Sequence, residues 1–274
     1  MTETPDEEPV LFVSDGAIAR VTLNRPAKMN ALTPQMLVLL DRAWREIAAD
    51  RGVRVAVLSA AGGRSFSAGA DLGRLTPLLT RARDAEDEWD EALLADPKLL
   101  NRALLRHNDF TTPVIAAMRG VVAGGGMELM LACDLRVSGE SCTFGLPEVK
   151  RGLIAAAGGV ARVARQISQA RAAELLLTGE RITARTALDW GLVNRVVPDE
   201  AVLATAEELA STVAANGPLA LRAAKRVMIA ASGRPIPEAF AIEDDAIKGL
   251  LRTGDAREGS RAFLEKRPPL FTGE

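Results

Sequence analysis

Three consecutive glycines, Gly124, Gly125 and Gly126, run into a helical-looking segment that carries Glu128. Glycine has no Cβ, so such a run lets backbone N–H groups approach a ligand closely. If a helix starts there, its unpaired N–H groups and its dipole favour negative charge. Gly125 is therefore a candidate donor to an oxyanion. Glu128 follows it by three residues, about one helical turn, so its side chain shares that end of the helix. A carboxylate beside an oxyanion site suits acid/base chemistry. A second glycine-bearing turn, RSFSAGADLGRL, follows the apolar run VRVAVLSA, where α/β sheets place ligand-binding loops, and offers a second N–H. A third element, TFGLPEVKRG, puts Glu148 behind Pro147 on a loop or helix start. The 20 residues from Glu128 to Glu148 leave room for a strand between them, but spacing alone does not make them neighbours.

Those loops need a scaffold. VLFVS and AIARVTLN flank Asp15-Gly16, a dipeptide that favours a tight hairpin turn. TPQMLVLLDRAWREIAAD has Thr33 as N-cap and Pro34 at the first helical position, and the continuous apolar run VRVAVLSA after it reads as a buried strand. The order repeats: a charged helical region near residues 85 to 108, strand PVIAAMRG, a helix from about Gly125, strand DLRVS, further helices, and a short strand LVNRVV. This alternation predicts α/β layering. After Pro198 the pattern is helical, through EAVLATAEELASTVAA, GPLALRAAKRVMIAA, IPEAFAIEDDAIKGLLRT and DAREGSRAFLEK. The chain therefore divides into a core, residues 1–198, and a helical carboxy-terminal subdomain, residues 199–274. The dense charge run RARDAEDEWDEALLADPK reads as a solvated helix face.

Composition narrows the function classes. At 274 residues, 48% hydrophobic and 26% charged, the chain is globular and long enough for a sizeable core. With 34 Lys and Arg against 36 Asp and Glu, the net charge of -2 attracts neither nucleic acid nor an anionic membrane. MTETPDEEPV lacks the pattern of a signal peptide and reads as a loose acidic tail, and no apolar run is long enough to cross a bilayer. A cytoplasmic location is the expectation. Cys133 and Cys142 are too few for a disulfide framework and read as structural thiols in a reducing compartment. His107 is the single histidine, no serine sits in a nucleophile elbow, no cluster has metal-ligand spacing, and AGGGME lacks the lysine of a phosphate-binding loop. Serine hydrolase and nucleotidase are poor readings, and no metal is expected.

Together and in order, LNRPAKMNAL, FSAGADL, GVVAGGGMELMLACDLRV, FGLPEVKRGL and LLLTGERITARTALDWGLVNRVV resemble the crotonase family, also called the enoyl-CoA hydratase/isomerase superfamily. The resemblance extends from about residue 10 to the end, where GDAREGSRAFLEKRPPLF matches the usual ending of the family. It implies an α/β fold of crotonase type. That is a spiral of ββα repeats forming two nearly perpendicular sheets, with a helical carboxy-terminal region that builds homotrimers, often paired into hexamers. It also implies an acyl-CoA substrate, so coenzyme A enters as part of the thioester and no separate cofactor is expected.

In this family two backbone N–H groups hold the thioester oxygen. They come from the residue after the AG of the first loop and from the middle glycine of GGG, which are Ala70 and Gly125 here. Reactions beside a thioester carbonyl pass through an enolate-like state, and donors aimed at that developing charge lower the barrier. Hydratases of the family carry two glutamates, in the GGGxE and FGxPE positions. This chain has both, Glu128 and Glu148, whereas many isomerases keep only the second. The implied activity is hydration of a 2-enoyl-CoA, with Glu128 positioning water and taking its proton while Glu148 exchanges a proton with the α-carbon. Two carboxyls holding one water do not both ionise cheaply, which fits one acid and one base. The resemblance further implies that Lys28 and Met29 lie near the pantetheine and phosphates and the Ala68 backbone near adenine. Phe263 and Lys266 match positions that reach CoA, commonly from a neighbouring subunit.

Some features depart from the common pattern. Where many members read IPGAGG, this chain has IAAAGG, with Ala155 and Ala156 replacing Pro and Gly in a loop expected to border the acyl pocket. LPEVKRG is similar to the wording of relatives that act on carnitinyl-CoA. The segment between Ala70 and Gly125 is longer than in compact members, and Trp89 within it reads either as an acyl-pocket residue or as surface helix. Besides the hydratase, two readings stand: an isomerase using Glu148 alone, and a trimeric scaffold or RNA-binding relative. Both glutamates, the acidic balance and the absence of tyrosine for base stacking argue against the last.

Overall fold

Asp15-Gly16 turns the chain as its residues predict, pairing β1 (Val10–Asp15) antiparallel with β2 (Ile18–Leu23), Val10 opposite Leu23. The computed structural model describes residues 8–107 and 109–274, so the expected acidic tail lies, through residue 7, outside the described residues. α1 (Pro34–Ala49) begins at Thr33, whose hydroxyl accepts from Met36 N at 3.2 Å, a cap that contributes about 1 kcal/mol.

Beyond α1 the chain shuttles between two sheets. β3 (Val55–Ala60) joins the first sheet and β4 (Ser65–Ser67) the second; after α2 (Leu75–Leu79), α3 (Glu88–Ala95) and α4 (Leu99–Ala103), β5 (Val114–Met118) returns to the first and β6 (Val121–Ala123) to the second. α5 (Gly125–Ala132) leads to β7 (Leu135–Gly139) in the first and β8 (Thr143–Gly145) in the second. α6 (Gly159–Gln166) and α7 (Gln169–Thr178) precede β9 (Ile182–Thr183), α8 (Ala184–Asp189) and β10 (Arg195–Val197). The first sheet has the order β1-β2-β3-β5-β7-β10 and the second β4-β6-β8-β9. Each repeat thus deposits one long strand in the first sheet and one short strand in the second.

The first sheet is parallel from β2 to β10 and buried on both faces, which explains the unbroken apolar run of β3 and the full burial of β5. On one face Val55, Val57, Ile115 and Val137 pack against Val202, Ala206 and Ala210 of α9 (Val202–Ala214). On the other, Val21, Leu58 and Met118 join Leu37, Leu40 and Trp44 of α1 and Met127 of α5 in the main core. Carboxy-terminal to α9 come α10 (Pro218–Ala231), α11 (Ile236–Leu250) and α12 (Gly254–Leu264). No residue of α11 is buried, and Met228, Ile236, Phe240 and Leu251 are each more than half exposed.

Three expectations need correction. The helical region near residues 85 to 108 is two short helices, α3 and α4, separated at Asp96, which precedes Pro97 and takes an extended conformation because the proline ring disfavours helix there. Its charge run is not wholly a solvated face. Asp90 is fully buried, gripped by Arg83 at 2.9 Å on one oxygen and within 3.4 Å of Arg74 on the other. Trp89, the residue left open between pocket and surface, packs against the core under Arg42, whose guanidinium lies 5.2 Å from the ring centroid. The strand LVNRVV narrows to β10. Cys133 and Cys142 are buried free thiols, as their surroundings suggested.

Candidate active site

The three stretches singled out in the sequence leave the carboxyl ends of three adjacent parallel strands of the second sheet. β4 pairs with β6, and β6 with β8, with Ala123 opposite Gly145. Neighbouring strands lie ~4.8 Å apart, so residues shortly beyond Ser67, Ala123 and Gly145 meet although 23 to 78 residues separate them in the chain. Ala70, Gly125 and Glu148 are those residues.

The two amides come together through close backbone packing. Gly69, at φ 94°, approaches so tightly that a Cβ there would lie 2.9 Å from Ala123 O and 3.1 Å from Gly125 N. A Cβ on Gly125 would lie 3.8 Å from Ala70 N. Only glycine at position 69 permits this apposition in a left-handed conformation. Leu32 N donates to Gly69 O at 2.8 Å and Asp71 N to Leu32 O at 2.9 Å. Those bonds clamp the peptide groups flanking Ala70, and strand-like alternation turns the Ala70 N–H to the opposite side. Gly125 opens α5, where Glu128 N is the donor to Gly124 O, so the Gly125 N–H belongs to the unpaired first turn. Two backbone amides, one of them at a helix start, therefore lie close together, an arrangement suited to negative charge.

Two carboxyls border them. Glu128 is buried, 5% exposed, in a helix otherwise surrounded by core residues. Its Oε1 accepts from Gly159 N at 3.0 Å, the first amide of α6. Burial pushes its carboxyl up to about 7, and Glu148 adds to the rise; the amides of Gly159 and Ala157 and the guanidinium of Arg162 oppose it. Glu148 sits in a 3-10 turn, Pro147–Arg151, with Oε1 3.2 Å from the Cβ position of Gly124. Burial raises its carboxyl above the ordinary value, against Arg151. Its Oε2 is buried without a hydrogen-bond partner among the described residues. One carboxyl is thus anchored on a helix start, and the other lies against the Gly124 backbone with its second oxygen unpaired among the described residues. Two carboxyls raised above the ordinary value, Glu128 to about 7, suit acid/base chemistry beside an oxyanion.

The other residues expected at the site divide into two sets. Met29 O accepts from Ala68 N at 3.0 Å, so Lys28, Met29 and Ala68 gather at one edge, with Lys28 and Ala68 exposed. Phe263 lies on α12 and is 83% exposed, and Lys266 follows that helix, also exposed; within the single chain neither packs onto that edge. Ala155, expected at the acyl pocket, is buried and occupies the spot a Gly159 Cβ would enter, at 2.5 Å from Ala155 Cβ, whereas Ala156 is exposed. Sequence reasoning missed Gly159 as the residue that holds Glu128. The signal was the Gly158-Gly159 pair directly before the helical run VARVARQ, the same arrangement that had been recognised at Gly125. It also missed Asn30, a fully buried amide whose Nδ2 donates to Ala61 O at 3.0 Å and Ser65 O at 2.8 Å.

His107 is exposed and lines a surface groove with Trp44, Arg45, Arg102 and Phe110, none of them a residue of the site above. Among the described residues no cluster of His, Cys, Asp and Glu is arranged to hold a metal ion, and no helix is long and apolar enough to cross a membrane.

Comparison with known proteins bears on what this geometry serves. Residues 14–274 match the family described as enoyl-CoA hydratase/isomerase. The chain is similar to enoyl-CoA hydratase EchA19 of Mycobacterium tuberculosis, 39% identical over 92% of this chain and 91% of that protein. It is 36% identical to carnitinyl-CoA dehydratase of Citrobacter koseri, over 97% of this chain and 99% of the relative. Its fold superposes on the crystal structure of an enoyl-CoA hydratase from Bacillus anthracis with a TM-score of 0.87, at 35% identity, over 97% of this chain and 100% of the other.

Proposed function

Because the chain belongs to the enoyl-CoA hydratase/isomerase family, we propose that it is a 2-enoyl-CoA hydratase, adding water reversibly to the double bond conjugated with the thioester. The observation that carries this reading is the pair of carboxyls, buried Glu128 raised to about 7 and half-buried Glu148 raised beside it, next to the Ala70 and Gly125 amides.

In the proposed step, the Ala70 and Gly125 N–H groups hold the thioester oxygen. Ionised Glu128 takes a proton from water as the water oxygen bonds to the β-carbon. The double-bond electrons move toward the thioester oxygen, where the two amides hold the enolate-like charge. Protonated Glu148 then delivers its proton to the α-carbon. Glu128 ends protonated and Glu148 ionised, and exchange with solvent restores both. Burial raises both carboxyls, Glu128 to about 7, which suits Glu128 to take a proton near physiological pH and favours the protonated form of Glu148 more than in water.

CoA recognition in this reading uses Lys28 and Met29 for pantetheine and phosphates and the Ala68 backbone for adenine. Phe263 and Lys266 reach the CoA of a neighbouring subunit, consistent with their exposure here. Residues 1–198 form the catalytic core and 199–274 the assembly region. The apolar side chains of Met228, Ile236, Phe240 and Leu251 support burial of that region in a homotrimer, or in paired trimers, located in the cytoplasm. Similarity to the Citrobacter koseri protein favours a second reading of the same chemical type, dehydration of carnitinyl-CoA. An isomerase would use Glu148 alone.

The test follows enoyl-thioester absorbance across 2-enoyl-CoAs from short to long, with crotonobetainyl-CoA included. Loss of absorbance that depends on both glutamates is the expected result. A shifted double bond without hydration would replace the hydratase reading with the isomerase.

A further inference from the structure

Asp71 directly follows Ala70, and every polar group it has is engaged. Its N–H donates to Leu32 O at 2.9 Å, and its carbonyl accepts from Leu75 N at 2.9 Å and Thr76 N at 3.1 Å, at the start of α2. Its Oδ1 accepts from Gly73 N at 2.9 Å and Arg74 N at 3.0 Å. Its Oδ2 accepts from Arg25 Nη1 at 2.6 Å, a short charge-assisted contact between side chains only 15% and 21% exposed.

Arg25 belongs to the turn on the other side of the loop. The same Nη1 reaches Ala31 O at 3.3 Å, and Arg25 N donates to Asn30 Oδ1 at 2.8 Å. Ser67 Oγ donates to Asn30 O at 2.8 Å while accepting from Gly69 N at 3.2 Å. The loop that carries the Ala70 amide is therefore suspended between Ser67 on one side and the Arg25–Asp71 pair on the other. Burial pushes the Asp71 carboxyl up, but Arg25 and the two turn amides outweigh it and hold the group below its ordinary value, so it stays ionised.

We propose that Asp71, held by Arg25, is a positioning residue that fixes the direction of the Ala70 N–H toward the thioester oxygen; this rests on the oxyanion reading above. Asp71 never touches the substrate. Its effect passes through one peptide plane, and a donor displaced by about 1 Å costs on the order of 10²-fold in rate.

The experiment uses the intact protein and 2,4-hexadienoyl-CoA, a thioester whose near-ultraviolet band moves to longer wavelength when its carbonyl is polarised. Binding is verified by calorimetry. Wild type is expected to shift the band. Asp71→Asn keeps an acceptor for the turn amides and loses the charge toward Arg25, so it is expected to shrink the shift and lower kcat by about 10²-fold with KM within about threefold. Asp71→Glu is expected to recover part of both. Arg25→Met probes the same pair from its other end, in case the Asn variant does not fold. Arg20→Ala, which removes the distant Arg20–Glu207 pair, controls for lost stability alone. It is expected to lower Tm and leave the shift intact.

A full shift and parental kcat in both Asp71→Asn and Arg25→Met would overturn the proposal, and so would an equal loss of shift in Arg20→Ala. A bound probe that shows no shift in wild type would overturn the oxyanion reading itself. Because the shift needs binding and not turnover, the positioning role is tested even if none of the enoyl-CoAs is hydrated.

Discussion

Replacing Glu128 by glutamine is expected to stabilise the protein above neutral pH and leave it little changed in mild acid. Glutamine keeps an acceptor for the Gly159 N–H and removes the charge that burial opposes. The folded carboxyl titrates at about 7, against 4.5 for an ordinary glutamate. Since the folded value is the higher one, the folded state holds the proton through that window while the unfolded chain has lost it. Stability therefore falls as pH rises from 4.5 toward about 7, and the penalty is complete above it. At 1.36 kcal/mol per factor of ten in proton affinity, the full penalty is about 3 kcal/mol, of which about 1 is already present at about pH 5. Between about pH 5 and about pH 8, wild type loses about 2–3 kcal/mol that the variant keeps. Thermal unfolding of both proteins at one fixed protomer concentration reads this as a gap that widens by roughly 5 to 10 °C in favour of the variant. A gap of constant size at both pH values, or one that closes as pH rises, would refute the assignment of a buried, raised Glu128.

Other outcomes follow from the same geometry. Gly159→Ala brings a Cβ to 2.5 Å from Ala155 Cβ and 3.0 Å from Glu128 Oε1, so it is expected to cost about 1–3 kcal/mol in Tm measurements and to lower kcat by moving the carboxyl. Gly69→Ala forces a side chain at φ 94° against Ala123 O and Gly125 N; steady-state kinetics are expected to show kcat falling about 10²–10³-fold, as when one oxyanion donor is lost. The kcat/KM profile for hydration is expected to rise through about pH 7 as Glu128 ionises, and a rate independent of pH across that range would contradict the role assignment.

The sequence exposed more of the chemistry than of the frame that organises it. Gly125 with Glu128, and Glu148 behind Pro147, stood out because glycine and buried charge are unusual beside apolar runs. What brings them together was not legible. β4, β6 and β8 have three residues each, too short for alternation to register, so periodicity did not show the second sheet, which the resemblance alone implied and which carries the site on its strand ends. The first sheet was readable because β3 and β5 are continuous apolar runs buried on both faces. The charge run around Asp90 misled for another reason: its spacing is that of a surface helix, and only the folded chain shows Arg83 and Arg74 closing over the one aspartate that is buried. Gly159 and Asp71 act through hydrogen bonds to groups 31 residues and 46 residues away, and no local pattern announces such partners.

The central claim is that two carboxyls divide the proton work, and exchange in deuterium oxide tests it most directly. The α-protons of a saturated acyl-CoA such as butyryl-CoA are followed by NMR while hydration of the matching enoyl-CoA is measured in parallel. The account predicts that Glu128→Gln loses hydration by on the order of 10²–10⁴-fold and retains α-exchange, whereas Glu148→Gln loses both. Hydration at the parental rate in Glu128→Gln, or α-exchange at the parental rate in Glu148→Gln, would contradict it.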